Sequence, residues 1–193
     1  MPDIYHEGNR DLQDEFDSRR LADRLTELII HDTITDEDKE FIESLNMFFI
    51  STLDGDGRPT VSYKGGDPGF IKVLDDKTIA YPGYDGNGMY LTAGNLAANE
   101  DVGLLFISFE SPQRLRLHGR ATVDTNDPLL EDYVEAKYIV RIQVRNLFMN
   151  CARYIPQHQE SEPSEYVPRE GIETPAPEWK SYDIIKEVLP EDK

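Results

Sequence analysis

Cysteine is almost missing from this chain, with one residue, Cys151, among 193. An internal disulfide is therefore excluded, which argues for a reducing cytoplasm and against a disulfide-stapled secreted scaffold. Apolar residues nowhere run to the ~20 needed to span a bilayer as a helix, so no membrane partner is expected. The opening stretch, MPDIYHEGNRDLQDE, is acidic, lacks an apolar core and does not read as a signal peptide. Basic residues are scarce: 20 Lys and Arg stand against 38 Asp and Glu, a net charge of −18. Such a chain repels nucleic acid and anionic lipid alike. The histidines, His6, His31, His118 and His158, have no metal-ligand spacing, and no nucleophile elbow or Ser-His-Asp pattern occurs.

The acid is unevenly placed. Residues 1–44 hold 14 acids against 5 bases, residues 45–156 hold 14 against 11, and residues 157–193 hold 10 against 4. A nearly balanced centre thus lies between two acidic arms, and three units follow: a helical arm (1–44), a β domain (45–156) and an extended Pro/Glu-rich arm with one short helix (157–193). In the first arm, Leu12, Phe16, Leu21, Leu25, Leu28 and Ile29 form one apolar helical stripe over residues 10–30. A second helix starts at the Thr35 cap, with Phe41, Ile42 and Leu45 facing the β domain. In the last arm, Trp179, Ile184, Ile185 and Val188 are the expected anchors of a helix over 179–189.

The centre is built of short β-type runs cut by turn residues. MFFISTL, RPTVSYK, GFIKVL and TIAYP come first, with DGDG as a hairpin turn. The Gly-dense loop PGYDGNG leads into a short helix, MYLTAGNLAAN, followed by strands VGLLFISF and QRLRLHGRATV. Asp127 and Pro128 start a helix reaching about Lys137, and YIVRIQVRNLF alternates as a final half-buried strand. Many short strands with one interposed helix describe a mainly β protein with peripheral helices, closed as a small barrel.

Three places carry chemical interest. The loop glycines Gly83, Gly86 and Gly88 fit neither a dinucleotide fingerprint nor a calcium loop, but they permit close backbone approach and exposed N–H donors, which suit a phosphate. Lys64 ends a strand before a Gly-Gly break. Arg114, Arg116, His118 and Arg120 share one strand face, a row of cations that calls for acids or an anionic ligand.

GRPTVSYKGGDPGF, NLAANEDVGLLFI, LRLHGRA and FMNCARYI, in that order, resemble the pyridoxamine 5′-phosphate oxidase-related flavin-binding family over roughly residues 40 to 190. The resemblance implies a split β-barrel that binds FMN across a homodimer interface and works on a small-molecule substrate. The C-terminal stretch is similar to a predicted flavin-nucleotide-binding branch rather than to the true oxidase, whose substrate segment carries Arg and His. On this resemblance Lys64 serves the FMN phosphate, with Asn87, Gly88 and Met89 in the loop beside it. Val61, Ser62 and Tyr63 line the isoalloxazine edge, while Tyr81, Pro82 and Tyr84 pack on the ring or ribityl chain. Arg114, with Arg116 beside it, meets the ring, where a cation stabilises reduced flavin. Asn150, Cys151 and Arg153 match the family as structural or interface residues. The alternatives on the same barrel are a non-catalytic flavin carrier or sensor, a deazaflavin protein, or a haem protein using His118.

Overall fold

The computed structural model describes residues 4–158 and 162–189; the remaining parts of the two arms, 1–3, 159–161 and 190–193, lie outside them. Seven strands form one antiparallel sheet: β1 (Met47–Leu53), β2 (Pro59–Gly65), β3 (Lys72–Val73), β4 (Thr78–Gly83), β5 (Asp101–Ser108), β6 (Gln113–Asp124) and β7 (Tyr138–Asn150). Their spatial order is β2-β1-β5-β6-β7-β4-β3. Three strands separate β1 from β4 in that order, yet the Phe48 and Tyr81 rings meet edge-on with centroids 5.0 Å apart. The sheet has therefore curled until its ends share one core. It stays open between β2 and β3. This is a split β-barrel.

Period-two patterning produces the curl. Along β6, Leu115, Leu117 and Ala121 are fully buried, while Arg114, Arg116, His118 and Arg120 turn to the other face. Phe48, Ile50, Leu104, Phe106, Ile142 and Leu147 complete the inner face. β7 carries one extra residue opposite the His118–Gly119 step, a bulge that tightens the bend. Gly119 is required there, because a Cβ would lie 2.4 Å from the Gln143 carbonyl oxygen on β7. Gly119→Ala is expected to lower stability by about 1–3 kcal/mol through overpacking. Thermal unfolding tests this, and an unchanged midpoint would mean that β7 moves aside freely.

Four local expectations need correction. The stripe over residues 10–30 is two helices, α1 (Glu7–Glu15) and α2 (Arg19–Ile29), because Asp17 takes a left-handed conformation (φ 49°) that a short polar side chain tolerates. Leu12, Phe16, Leu21, Leu25 and Leu28 of this hairpin are exposed. The segment after Asp127 is a 3-10 turn, Pro128–Asp132, rather than a helix to Lys137. Asp127 does cap it, but Tyr133 leaves in an extended conformation and donates its hydroxyl to the Phe70 carbonyl at 2.9 Å. Of GFIKVL only β3 joins the ladder, since Phe70 and Ile71 drop into the core. The C-terminal helix is a 3-10 turn, Glu178–Ser181, and one α turn, α5 (Asp183–Lys186), too short to propagate; Ile184 and Val188 are exposed. The other helices form as the sequence predicts. α3 (Asp36–Ser44) is capped by Thr35 and buries Ile42, and α4 (Leu91–Ala98) follows the Gly loop. Among the described residues no helix is long and apolar enough to cross a membrane.

Candidate functional site

The open seam of the barrel is occupied by a cavity of about 440 Å³ between β2, the β4 end with its Gly loop, and the start of α4. Alternation along β2 points Thr60, Ser62 and Lys64 inward and leaves Val61 and Tyr63 outside. α4 is stitched to this inner face by Thr92 and Asn95, three residues apart and so on one side of the helix. Asn95 Nδ2 donates to Thr52 Oγ1 at 2.9 Å and to Thr60 Oγ1 at 3.2 Å. Lys64 Nζ donates to Thr92 Oγ1 at 3.1 Å, and Thr92 Oγ1 donates to Ser62 Oγ at 3.0 Å. Burial pushes the Lys64 ammonium below its ordinary pKa, as it does for any cation moved out of water without a counter-charge.

Opposite Lys64 stands Tyr81, 2% exposed. Its hydroxyl is buried and has no hydrogen-bond partner among the described residues, and burial holds its pKa far above the ordinary tyrosine value. Tyr81 borders the cavity, while its hydroxyl oxygen lies beneath the accessible wall. Tyr84 and Tyr138 also line the cavity, and burial raises both. Tyr90, at the mouth of α4, is held in a left-handed conformation (φ 49°), which is strained for a bulky residue. In the loop, Gly88 needs its positive φ of 75°, and the Asn87 side chain accepts from the Met89 N–H at 3.1 Å. Asn87 is thereby partly committed to shaping the turn.

The residues expected to bind a cofactor therefore fall into two groups. Ser62, Lys64, Tyr81, Pro82, Tyr84, Asn87 and Gly88 surround the cavity; Met89 is exposed beside it and is not part of its wall. Val61, Tyr63, Arg114 and Arg116 lie on the outer sheet face, where strand register places Tyr63, Phe49, Leu105 and Arg116 in one row. Tyr63 reaches both sides, since its ring also borders a second cavity of about 510 Å³ near Phe109 and His158. Arg114 Nε is buried on the outer face with no acceptor among the described residues. Arg120 pairs with Glu100 at 2.7 Å. Thr92, Phe70, Tyr90 and Tyr138 were not singled out by sequence. Thr92 was the findable one, as a polar residue facing β2 in step with Asn95.

A family model described as pyridoxamine 5′-phosphate oxidase matches residues 34–165, more than half of the chain. The chain belongs to this family. Two solved structures share the fold at a TM-score of 0.50, and a third is similar over most of its length. A Lactobacillus delbrueckii protein provisionally described as a pyridoxamine 5′-phosphate oxidase is 22% identical, covering 61% of this chain and 95% of its own, with a TM-score of 0.50. HupZ of Group A Streptococcus is 22% identical, covering 65% and 99%, also with a TM-score of 0.50. An FMN-binding protein of Syntrophomonas wolfei is 11% identical over 72% of this chain and 97% of its own, with a TM-score of 0.47. No curated protein matches the chain. Membership places the protein in a flavin-binding family and leaves substrate and reaction to the site itself.

Proposed function

We propose that this protein is an FMN-binding flavoprotein that oxidises or reduces a small molecule, as a cytoplasmic homodimer with the cofactor at the subunit interface. The observation that carries this reading is the half-buried Lys64, bonded to Thr92, which in turn bonds to Ser62, in the wall of a cavity that Tyr81 also borders. A lone ammonium in a partly dehydrated wall fits a phosphate. When bound, the flavin would supply the hydride or electron transfer. Lys64 and Thr92 would hold the phosphate, with Gly88 giving close backbone approach, and Ser62 and the β2 backbone would orient the ring edge. Arg114 and Arg116 cannot reach their own cavity through the sheet, so on this reading they meet the flavin from the partner subunit. Val61 and Tyr63, 71% and 60% exposed on the same outer face, are the apolar surface a partner would cover. In this division residues 45–156 form the binding domain and the two arms serve it.

Haem is less well served. His118 stands on the outer face, its imidazole lowered first by burial and then by Arg145, while Asn146 bonds to it. The visible spectrum of the purified protein, before and after addition of FMN, tests the proposal. Flavin bands that travel with the dimer on gel filtration are expected. A colourless protein that ignores FMN would refute the flavoprotein reading, and a Soret band would transfer it to haem.

A further inference from the structure

Among the described residues the cavity wall contains two groups ionised at neutral pH, Lys64 and Asp85, whose charges cancel. An electroneutral cavity in a chain of net charge −18 is poorly suited to an anion that carries about two negative charges. The charge that corrects this lies immediately behind the wall. Asp85 accepts from Lys137 Nζ at 2.6 Å through one oxygen and from Lys180 Nζ at 2.6 Å through the other. Burial alone would push the Asp85 carboxyl up, but the two lysines outweigh it and hold it below the ordinary carboxylate value. With them the site carries two net positive charges.

Lys180 comes from the C-terminal arm, and the arm is fastened at a second point on the rim. Arg169 Nε and Nη2 both reach Asp67, each at 2.7 Å, in the segment that follows Lys64. Between these latches Thr174 donates to Glu135 at 3.0 Å. Residues 157–193 contain ten acids and only four bases. Two of those four bases are committed, Lys180 to Asp85 in the wall and Arg169 to Asp67 beyond the Gly65 end of β2.

Resting on the flavin reading above, we propose that the C-terminal arm belongs to the anion site. Arg169 and Lys180 neutralise Asp67 and Asp85, turning a cavity of no net charge into one that selects a phosphate-bearing ligand over its neutral counterpart. Lys180 acts through Asp85 and is a positioning residue, so its removal should be felt by the phosphate and not by the ring.

The test compares FMN with riboflavin, the same ring system without phosphate, by fluorescence titration. Lys180→Gln should weaken FMN about tenfold and leave riboflavin unchanged, Lys180→Arg should restore FMN, and the FMN affinity of Lys180→Gln should fall less steeply with added NaCl. Equal losses for both ligands would make the arm merely structural and overturn the inference, as would no change for either. Hydrogen exchange over residues 164–189 with inorganic phosphate alone gives a readout independent of flavin. Phosphate should slow exchange in the parent protein and less so in Lys180→Gln. A protein that ignores FMN but shows this protection would refute the flavin reading and keep the anion site; absence of protection would refute the anion site.

Discussion

Lys64→Ala should weaken FMN binding on the order of 100-fold, about 3 kcal/mol, the usual cost of truncating one partner of a desolvated charge pair. The ammonium sits in a cavity wall with Thr92 as its polar contact, and burial already lowers its pKa, so an arriving phosphate supplies the counter-charge it lacks. The same shift gives the binding a pH dependence of definite sign. FMN binds the protonated form, so affinity falls as pH rises through the lowered Lys64 pKa, before the ordinary lysine value of 10.5 is reached. Lys64→Arg should keep most of the affinity and move that fall to higher pH. Equilibrium titration across alkaline pH checks both, and an affinity untouched by Lys64→Ala would remove this residue from the site.

Asp127→Ala should cost about 2–3 kcal/mol of stability, below the 3–5 kcal/mol of fully enclosed pairs because Arg141 remains 38% exposed. Asp127 itself is 4% exposed and does two jobs. Its carboxylate takes Arg141 Nε at 2.5 Å and Nη2 at 2.8 Å, and it accepts from the Leu129 N–H at 2.9 Å to start the turn between β6 and β7. For a protein of this length the unfolding midpoint should drop on the order of 5–10 °C. The Arg141 bond is the main reason that the Asp127 pKa lies below 3.8 in the folded state. A depressed carboxyl stabilises above its unfolded pKa and loses that contribution as pH falls through the folded one. The parent protein should therefore lose this increment below about pH 4, while the stability of Asp127→Ala lacks that component at every pH. Parallel acid-unfolding curves for the two proteins would contradict this account.

Most of the strands were legible because strand patterning is local. Alternation in β6 and β7 places each side chain on a definite face without knowledge of the partner strand. The Thr35 and Asp127 caps were legible for the same reason. Helix length was less so. The stripe through residues 10–30 continues across Asp17, and nothing in its periodicity announces a left-handed residue there. The run after Pro128 fails as a helix because Tyr133 is drawn to a carbonyl 63 residues away in sequence. In the site, Lys64 and the Gly loop stood out, whereas the grouping of β2 with the first turn of α4 needed the curl of the whole sheet. Arg114 and Lys64 looked like members of one set along the chain. The pleat puts them on opposite sides of the barrel wall.

Because β2 pairs with β1 alone, the amide and carbonyl groups on its far side are left over wherever the barrel fails to close. Such a row has fixed spacing and direction set by the backbone, and it is indifferent to the identity of the side chains at Val61 and Tyr63. A planar heterocycle that carries both donors and acceptors on one edge can therefore be held there by main chain alone. Replacing those side chains would alter how the partner packs but not the hydrogen-bonding pattern offered to the ligand. Only proline, which has no N–H, could delete a donor from the row.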